Sequence, residues 1–402
     1  MRRTAYSAQR SGGWWAAWLV AGIVALGVAQ VVVEASVDQS QTVQAPRFEV
    51  DPMWPKPLPN KWVLGNVIGV GVDARDHVFI VHRNDTFAPA EIGSAANPPI
   101  SECCNPAPPV IEFDPEGNVV SAWGGPPADS SYVWPGSNHG IAIDHKGNVW
   151  IGGNGPTDSH ILKFTHDGKF LMEIGLTRRG QAPGASRDST RFGRVAKISF
   201  DVAANEAYIA DGYLNKRVAV LDMDTGRIKR FWGGYGNVPS DSNYGGYNPD
   251  APLIAQFRTP VHCAEPTSDG LVYVCDRVND RIQVFQKDGR FVKEMQVYPR
   301  TMGDGSVWDI AFSRDAQQRY IYLADGKNAR VYVMDRQSLQ ILTMFGDGGR
   351  QPGMFFAVHS IATDSRGNLF TTETYEGKRI QKFAYRGIAS VPRNQGVVWP
   401  GR

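Results

Sequence analysis

Across the body of the chain, apolar and polar residues alternate with a period of two, in short runs broken by Gly, Asn and Asp, and no stretch keeps a helical period. The runs themselves recur. One unit reads apolar strand, Asp or Ser, a turn with Gly or Asn, second strand, polar loop, third strand, Asp-Gly turn and fourth strand. Its clearest copy starts at His139 and runs through GIAIDHKGNVWIGG and HILKFTHDGKFLMEIG. Further copies start at Ile198, Val261 and Val358, and two degenerate ones near Ile68 and Trp308. Four strands make one propeller blade, and six blades close a ring that hides the sheet edges. The pattern therefore predicts an all-β, six-bladed β-propeller over residues 46–390. The segment Arg47-Phe48-Glu49-Val50 is placed as the outer strand of the last blade. The insertion at 84–109 and the Gly- and Ser-rich stretches at 177–193 and 235–250 fall between strands or blades, where they would wall one face.

Composition supports this picture: 43 Gly, 26 Pro and 11% aromatics in 402 residues suit many short strands joined by tight turns. A formal net charge of +2 supplies no basic field, so nucleic acid is not an expected partner. The chain is expected to act as a monomer. The N-terminus follows a different pattern. Arg2, Arg3 and Arg10 precede 20 residues without a charge, Trp14 to Val33, and Val33-Glu34-Ala35 offers small residues at a cleavage point. Residues 1–35 therefore read either as a signal peptide, exporting the chain to a periplasmic or extracellular location, or as an uncleaved anchor whose residues 14–33 span a membrane. Residues 36–45 read as a linker and 391–402 as a C-terminal tail.

Export permits disulfides. Cys263 and Cys275 lie six residues either side of Asp269, so a symmetric hairpin sets them opposite one another. Cys103 and Cys104 are adjacent in a Pro-rich loop, where a vicinal bridge, free thiols and metal binding all stay open.

The candidate chemistry comes from phase. His139, His262 and His359 each stand ten residues before the start of a second strand, at Val149, Val272 and Leu369. The matching positions in the other three units are Ile68, about Ala196 and about Trp308, so the histidines come from alternate blades. Equivalent positions on alternate blades of a six-membered ring converge on its axis from three directions. Three neutral imidazoles with one position left open are the ligand set of a catalytic zinc ion. Arg83 and Arg277 each stand 15 residues beyond this phase in their units, and Tyr213 lies near it in the third, so all three are placed at one mouth. The other histidines, His77, His82, His145, His160 and His166, fall mostly at turns or strand ends and are expected at the surface.

Segments FIVHRND, NHGIAID, ADGYLNKRV, VHCAEP, CDRVNDRIQVF and VHSIATD, together with the repeat over residues 60–385, resemble peptidyl-α-hydroxyglycine α-amidating lyase, a six-bladed propeller with NHL-type repeats. The resemblance implies that His139, His262 and His359 bind zinc and that Tyr213 is the base. It gives Arg83 and Arg277 the substrate carboxylate and the tyrosinate to handle. It further implies a small-molecule or peptide substrate bearing a carboxylate, split into an amide and glyoxylate. A phenol's ordinary pKa near 10 means that a guanidinium and a metal beside it are needed before it serves as a base near neutral pH. By the same resemblance a structural calcium would take the backbone carbonyls of Val70 and Ile141. However, Ser360 stands where the family has a calcium-binding Asp, and Leu214 where it has a disulfide cysteine.

Two further readings stay open. One keeps the metal but assigns hydrolysis, as in lactonase-like propellers, whose calcium is held by carboxylate and amide oxygens rather than by three histidines. The other is a non-catalytic exported propeller that binds a partner on one face.

Overall fold

The computed structural model describes residues 42–175 and 183–401. Among these, six four-stranded antiparallel sheets are arranged as the blades of a propeller, together with a parallel two-stranded bridge between Trp62–Val63 and Asn105–Pro106. The first strands of the blades are Asn66–Val72, Asn138–Ile143, Val195–Asp201, Val261–Pro266, Asp309–Phe312 and Val358–Thr363. Each contacts the first strand of the next blade, and the sixth contacts the first, so these strands line the axis and the ring is closed.

The second strands depart from the expected alternation. Glu206–Asp211 and Tyr320–Asp325 are buried at every position. A blade is sandwiched between two neighbours, so its middle strands bury both faces. The outer strands, such as Val119–Trp123 and Phe170–Ile174, are largely only part-buried.

Ring closure follows the expected route and extends it. Thr42–Asp51 pairs antiparallel with Arg379–Pro392, adding an N-terminal strand to the last blade. The expected linker is therefore already strand at Thr42, and the expected tail is not free. The Val50 N–H donates to Val398 O (2.8 Å), the Met344 N–H donates to Arg393 O (3.0 Å), and Val398 is buried. These bonds cover backbone groups of the closing strand and of blade 5 that would otherwise form an open edge. Phe48 is 1% exposed, with Tyr322, Phe345 and Tyr385 at ring-centroid distances of 5.3, 5.6 and 5.8 Å. Phe48→Ala is expected to lower unfolding free energy by about 3–5 kcal/mol, measured by denaturant titration, because it opens a cavity where the two ends of the chain are joined.

Cys263 and Cys275 are register partners bonded across the hairpin, with a Cα separation of 4.8 Å. Cys103 and Cys104 form a vicinal bridge. Two disulfides fit a protein that matures in an oxidising, exported environment. Among the described residues no helix is long and apolar enough to cross a membrane, and residues 14–33 lie outside that set.

Two of the histidines expected at the surface are buried instead. His82 accepts from the Gly65 N–H (3.3 Å) and donates through Nε2 to Pro108 O (3.0 Å), pinning the 84–109 insertion to blade 1. Burial holds it below its ordinary value, at about 4. His160 donates to Val133 O (2.7 Å). A strand-end position does not reveal that a loop distant in the chain will fold over it.

Candidate metal centre

The three phase-matched histidines meet on the axis. His139, His262 and His359 are 1%, 2% and 3% exposed, and their ligand-capable nitrogens lie within 4.8 Å of one another. What aims them is the ring's alternation. Each imidazole donates its Nδ1–H to the backbone carbonyl at the equivalent position of the following blade. His139 bonds Ala196 O (2.6 Å), His262 bonds Trp308 O, and His359 bonds Ile68 O (2.7 Å). The Ser360 hydroxyl donates to the same Ile68 carbonyl (2.8 Å). A carbonyl partner at Nδ1 fixes the tautomer, so all three Nε2 lone pairs face the axis.

These imidazoles are neutral. Burial, then the neighbouring His359 and Arg83, hold His139 well below its ordinary value, and burial followed by Arg277 and His359 does the same for His262. His359 is brought down to about 3 by burial, then Arg277 and Arg83.

Tyr213 enters from blade 3. Gly212 makes this approach feasible, since a Cβ there would sit 1.9 Å from Val261 O and 2.3 Å from Val261 N. The backbone thus passes against the first strand of blade 4, next to His262. Tyr213 Oη lies 2.8 Å from His139 Nε2 and 3.0 Å from His262 Nε2. One phenol hydrogen serves only one of those lone pairs. Three bare imidazole nitrogens and a phenol oxygen therefore converge with a single proton among them, a donor set that a cation completes. The three histidines could hold one metal ion, and their imidazole nitrogens suit a borderline transition metal better than calcium.

Both arginines reach the same mouth and are bound differently. Arg83 Nε donates to Asn138 O (2.9 Å), and its Nη2 donates to Asn154 Oδ1 (2.6 Å). Arg277 is buried over the Trp308 ring at 4.6 Å, with Nη1 3.4 Å from Tyr213 Oη and Nη2 3.5 Å from Asp304 Oδ1. Its Nε is buried without a partner. Arg83 is thus anchored by two short hydrogen bonds, whereas the hydrogen-bond contacts of Arg277 are long.

The motifs around these residues are structural. In ADGYLNKRV, Asp211 accepts from Asn215 and from buried Arg217, and in CDRVNDRIQVF, Asp276 accepts from Asn279 and from buried Arg281. Each Asp thereby fixes the turn that carries Tyr213 or Arg277. A cavity of about 320 Å³ opens beside Tyr213, lined by Lys216, Tyr244, Tyr247, Arg258 and Val278, so the 235–250 stretch does wall this face.

Sequence reasoning missed Asn154, Asp304 and Trp308 as neighbours of the arginines. It also missed a second grouping, Asp73, Glu112 and His166. There the buried Glu112 already has His77 (2.6 Å), His166 (3.0 Å) and Arg75 (3.3 Å) as partners. The two residues expected to offer carbonyls to calcium, Val70 and Ile141, line a cavity of about 410 Å³ on the other side of the histidine ring, and so does Lys197.

No family model matches the chain. In sequence it is similar to peptidyl-glycine alpha-amidating monooxygenase B of Xenopus laevis, 27% identical over 244 residues, covering 58% of this chain and 24% of that protein. The peptidylglycine alpha-amidating monooxygenase of Rattus norvegicus is 22% identical over 322 residues, 77% of this chain and 30% of the relative. NHL repeat-containing protein 3 of Mus musculus is 24% identical over 312 residues, 75% of this chain and 72% of that protein. The chain thus spans about a quarter of the length of the Xenopus relative, and its likenesses lie with amidating monooxygenases and an NHL-repeat protein.

Proposed function

We propose that this chain is a zinc-dependent lyase that breaks the C–N bond of a peptidyl-α-hydroxyglycine-like carbinolamide, giving an amide and glyoxylate. The observation that carries the reading is the convergence of three inward Nε2 lone pairs, one tyrosine hydroxyl and two guanidiniums on one mouth of the channel. The similarity to amidating monooxygenases points the same way.

His139, His262 and His359 would hold the zinc, which when bound supplies a Lewis acid for the substrate hydroxyl. Tyr213 Oη, as the tyrosinate that a neighbouring guanidinium and metal would favour, is the base that takes the hydroxyl proton. The pair freed from the O–H bond then forms the second bond of the aldehyde carbonyl, the C–N pair leaves on the amide nitrogen, and that nitrogen takes the proton back from Tyr213. Arg277 places a cation beside the oxygen that carries the charge, and a guanidinium is suited to pairing with a carboxylate. Arg83, anchored by Asn138 and Asn154, adds a second positive group at the mouth. The cavity beside Tyr213 gives room for the remainder of the substrate.

A second reading, a non-catalytic NHL-type propeller, is favoured by one observation. The match to NHL repeat-containing protein 3 runs over 75% of this chain and 72% of that protein. Incubating the zinc-loaded protein with α-hydroxyhippurate separates the two. Glyoxylate and benzamide released one for one support the lyase, whereas no release from fully zinc-loaded protein overturns it.

A further inference from the structure

Just beyond the histidine ring, three charged side chains from three blades meet in the channel. Lys197 and Asp309 stand one residue after Ala196 and Trp308, the same phase that Ser360 holds after His359. Lys197 Nζ donates to Asp309 Oδ1 (2.5 Å) and Ile310 O (3.3 Å), and pairs with Glu265 Oε1 at 2.8 Å. An ammonium has three N–H groups, and here each has an acceptor. The carboxylates are held in turn. Asp309 Oδ2 accepts the Ile361 N–H (3.0 Å), and the Ser199 hydroxyl donates to Glu265 Oε1 (2.6 Å). Blades 3, 4, 5 and 6 are thereby tied through one cation.

We infer that Lys197 is a built-in cation that closes this end of the channel, and that the chain has no calcium site there. The expected calcium would take carbonyls of Val70 and Ile141 in the same cavity, without the Asp that Ser360 replaces. The carboxylate available one blade away, Asp309, is committed to the ammonium. A divalent ion would meet a fixed positive charge there and would have to displace it from both carboxylates. The clamp also steadies the ring above it. Lys197 and Asp309 are the immediate neighbours of Ala196 and Trp308, whose carbonyls aim His139 and His262.

The test uses the intact purified protein after dialysis against calcium-free buffer, with zinc and calcium measured in the same samples, so that the fate of the zinc reading is scored separately. Wild type is expected to hold no calcium and to keep its melting midpoint when millimolar calcium chloride is added. Lys197→Ala leaves Asp309 and Glu265 facing each other without a cation. Its midpoint is expected to fall by on the order of 5 °C or more and to be raised again by calcium. Stoichiometric calcium in wild type, a wild-type midpoint that rises with calcium, or a Lys197→Ala midpoint equal to wild type would each overturn the inference. If Lys197→Ala does not accumulate as folded protein, the two wild-type measurements decide alone.

Discussion

His262→Ala is expected to yield a folded protein without stoichiometric metal, its metal affinity reduced by more than about 100-fold. That is beyond the loss usual when only the partner of a ligand is removed. Two imidazoles from blades 2 and 6 would remain, converging from two directions only. The fold survives because the one backbone partner lost with His262 is Trp308 O, whose unpairing costs about 1–3 kcal/mol, while Tyr213 Oη keeps His139 Nε2 as a partner. Equilibrium dialysis with zinc, alongside circular dichroism of the same samples, checks both halves. Turnover should disappear with the metal. A variant that keeps wild-type affinity would remove His262 from the centre.

Tyr213→Phe is the complementary case. The aromatic ring packs beside His139 at a centroid distance of 4.7 Å and stays in place, while the hydroxyl that reaches two Nε2 atoms is deleted. Metal content and stability are expected to be unchanged. Turnover should fall at least about 100-fold, the usual scale for a positioned proton-transfer group, with the loss in kcat rather than KM. Because Oη lies so near two of the imidazoles, the metal measurement matters as much as the rate. If the phenylalanine variant loses its zinc, the phenol oxygen is a ligand and the base lies elsewhere. Full turnover with zinc retained removes the hydroxyl from the chemistry.

The fold was legible because a closed ring of like blades projects onto the chain as a repeated spacing. The same geometry made the histidines legible, since equivalent positions of alternate blades must meet on the axis, and even the positions that bind their Nδ1 atoms, Ile68, Ala196 and Trp308, were marked by phase. Their role was not. It resides in the backbone carbonyl, which carries no residue signature. The Lys197–Asp309 pair was likewise hidden, because it joins positions 112 residues apart through a convergence that no local motif encodes. Asn154, 71 residues from Arg83, escaped for the same reason. The ends of the domain were set too far in, at 46 and 390. Polar residues such as Thr42, Gln44 and Asn394 pair through their backbones with blades they do not resemble.

The most direct check is elemental analysis of the purified wild-type protein, exchanged into metal-free buffer without a chelator. One zinc per chain is expected, falling to none when the three histidines are replaced together. Folded protein carrying no transition metal, and taking up none when zinc is supplied, would contradict the shared grip of His139, His262 and His359 on a single ion.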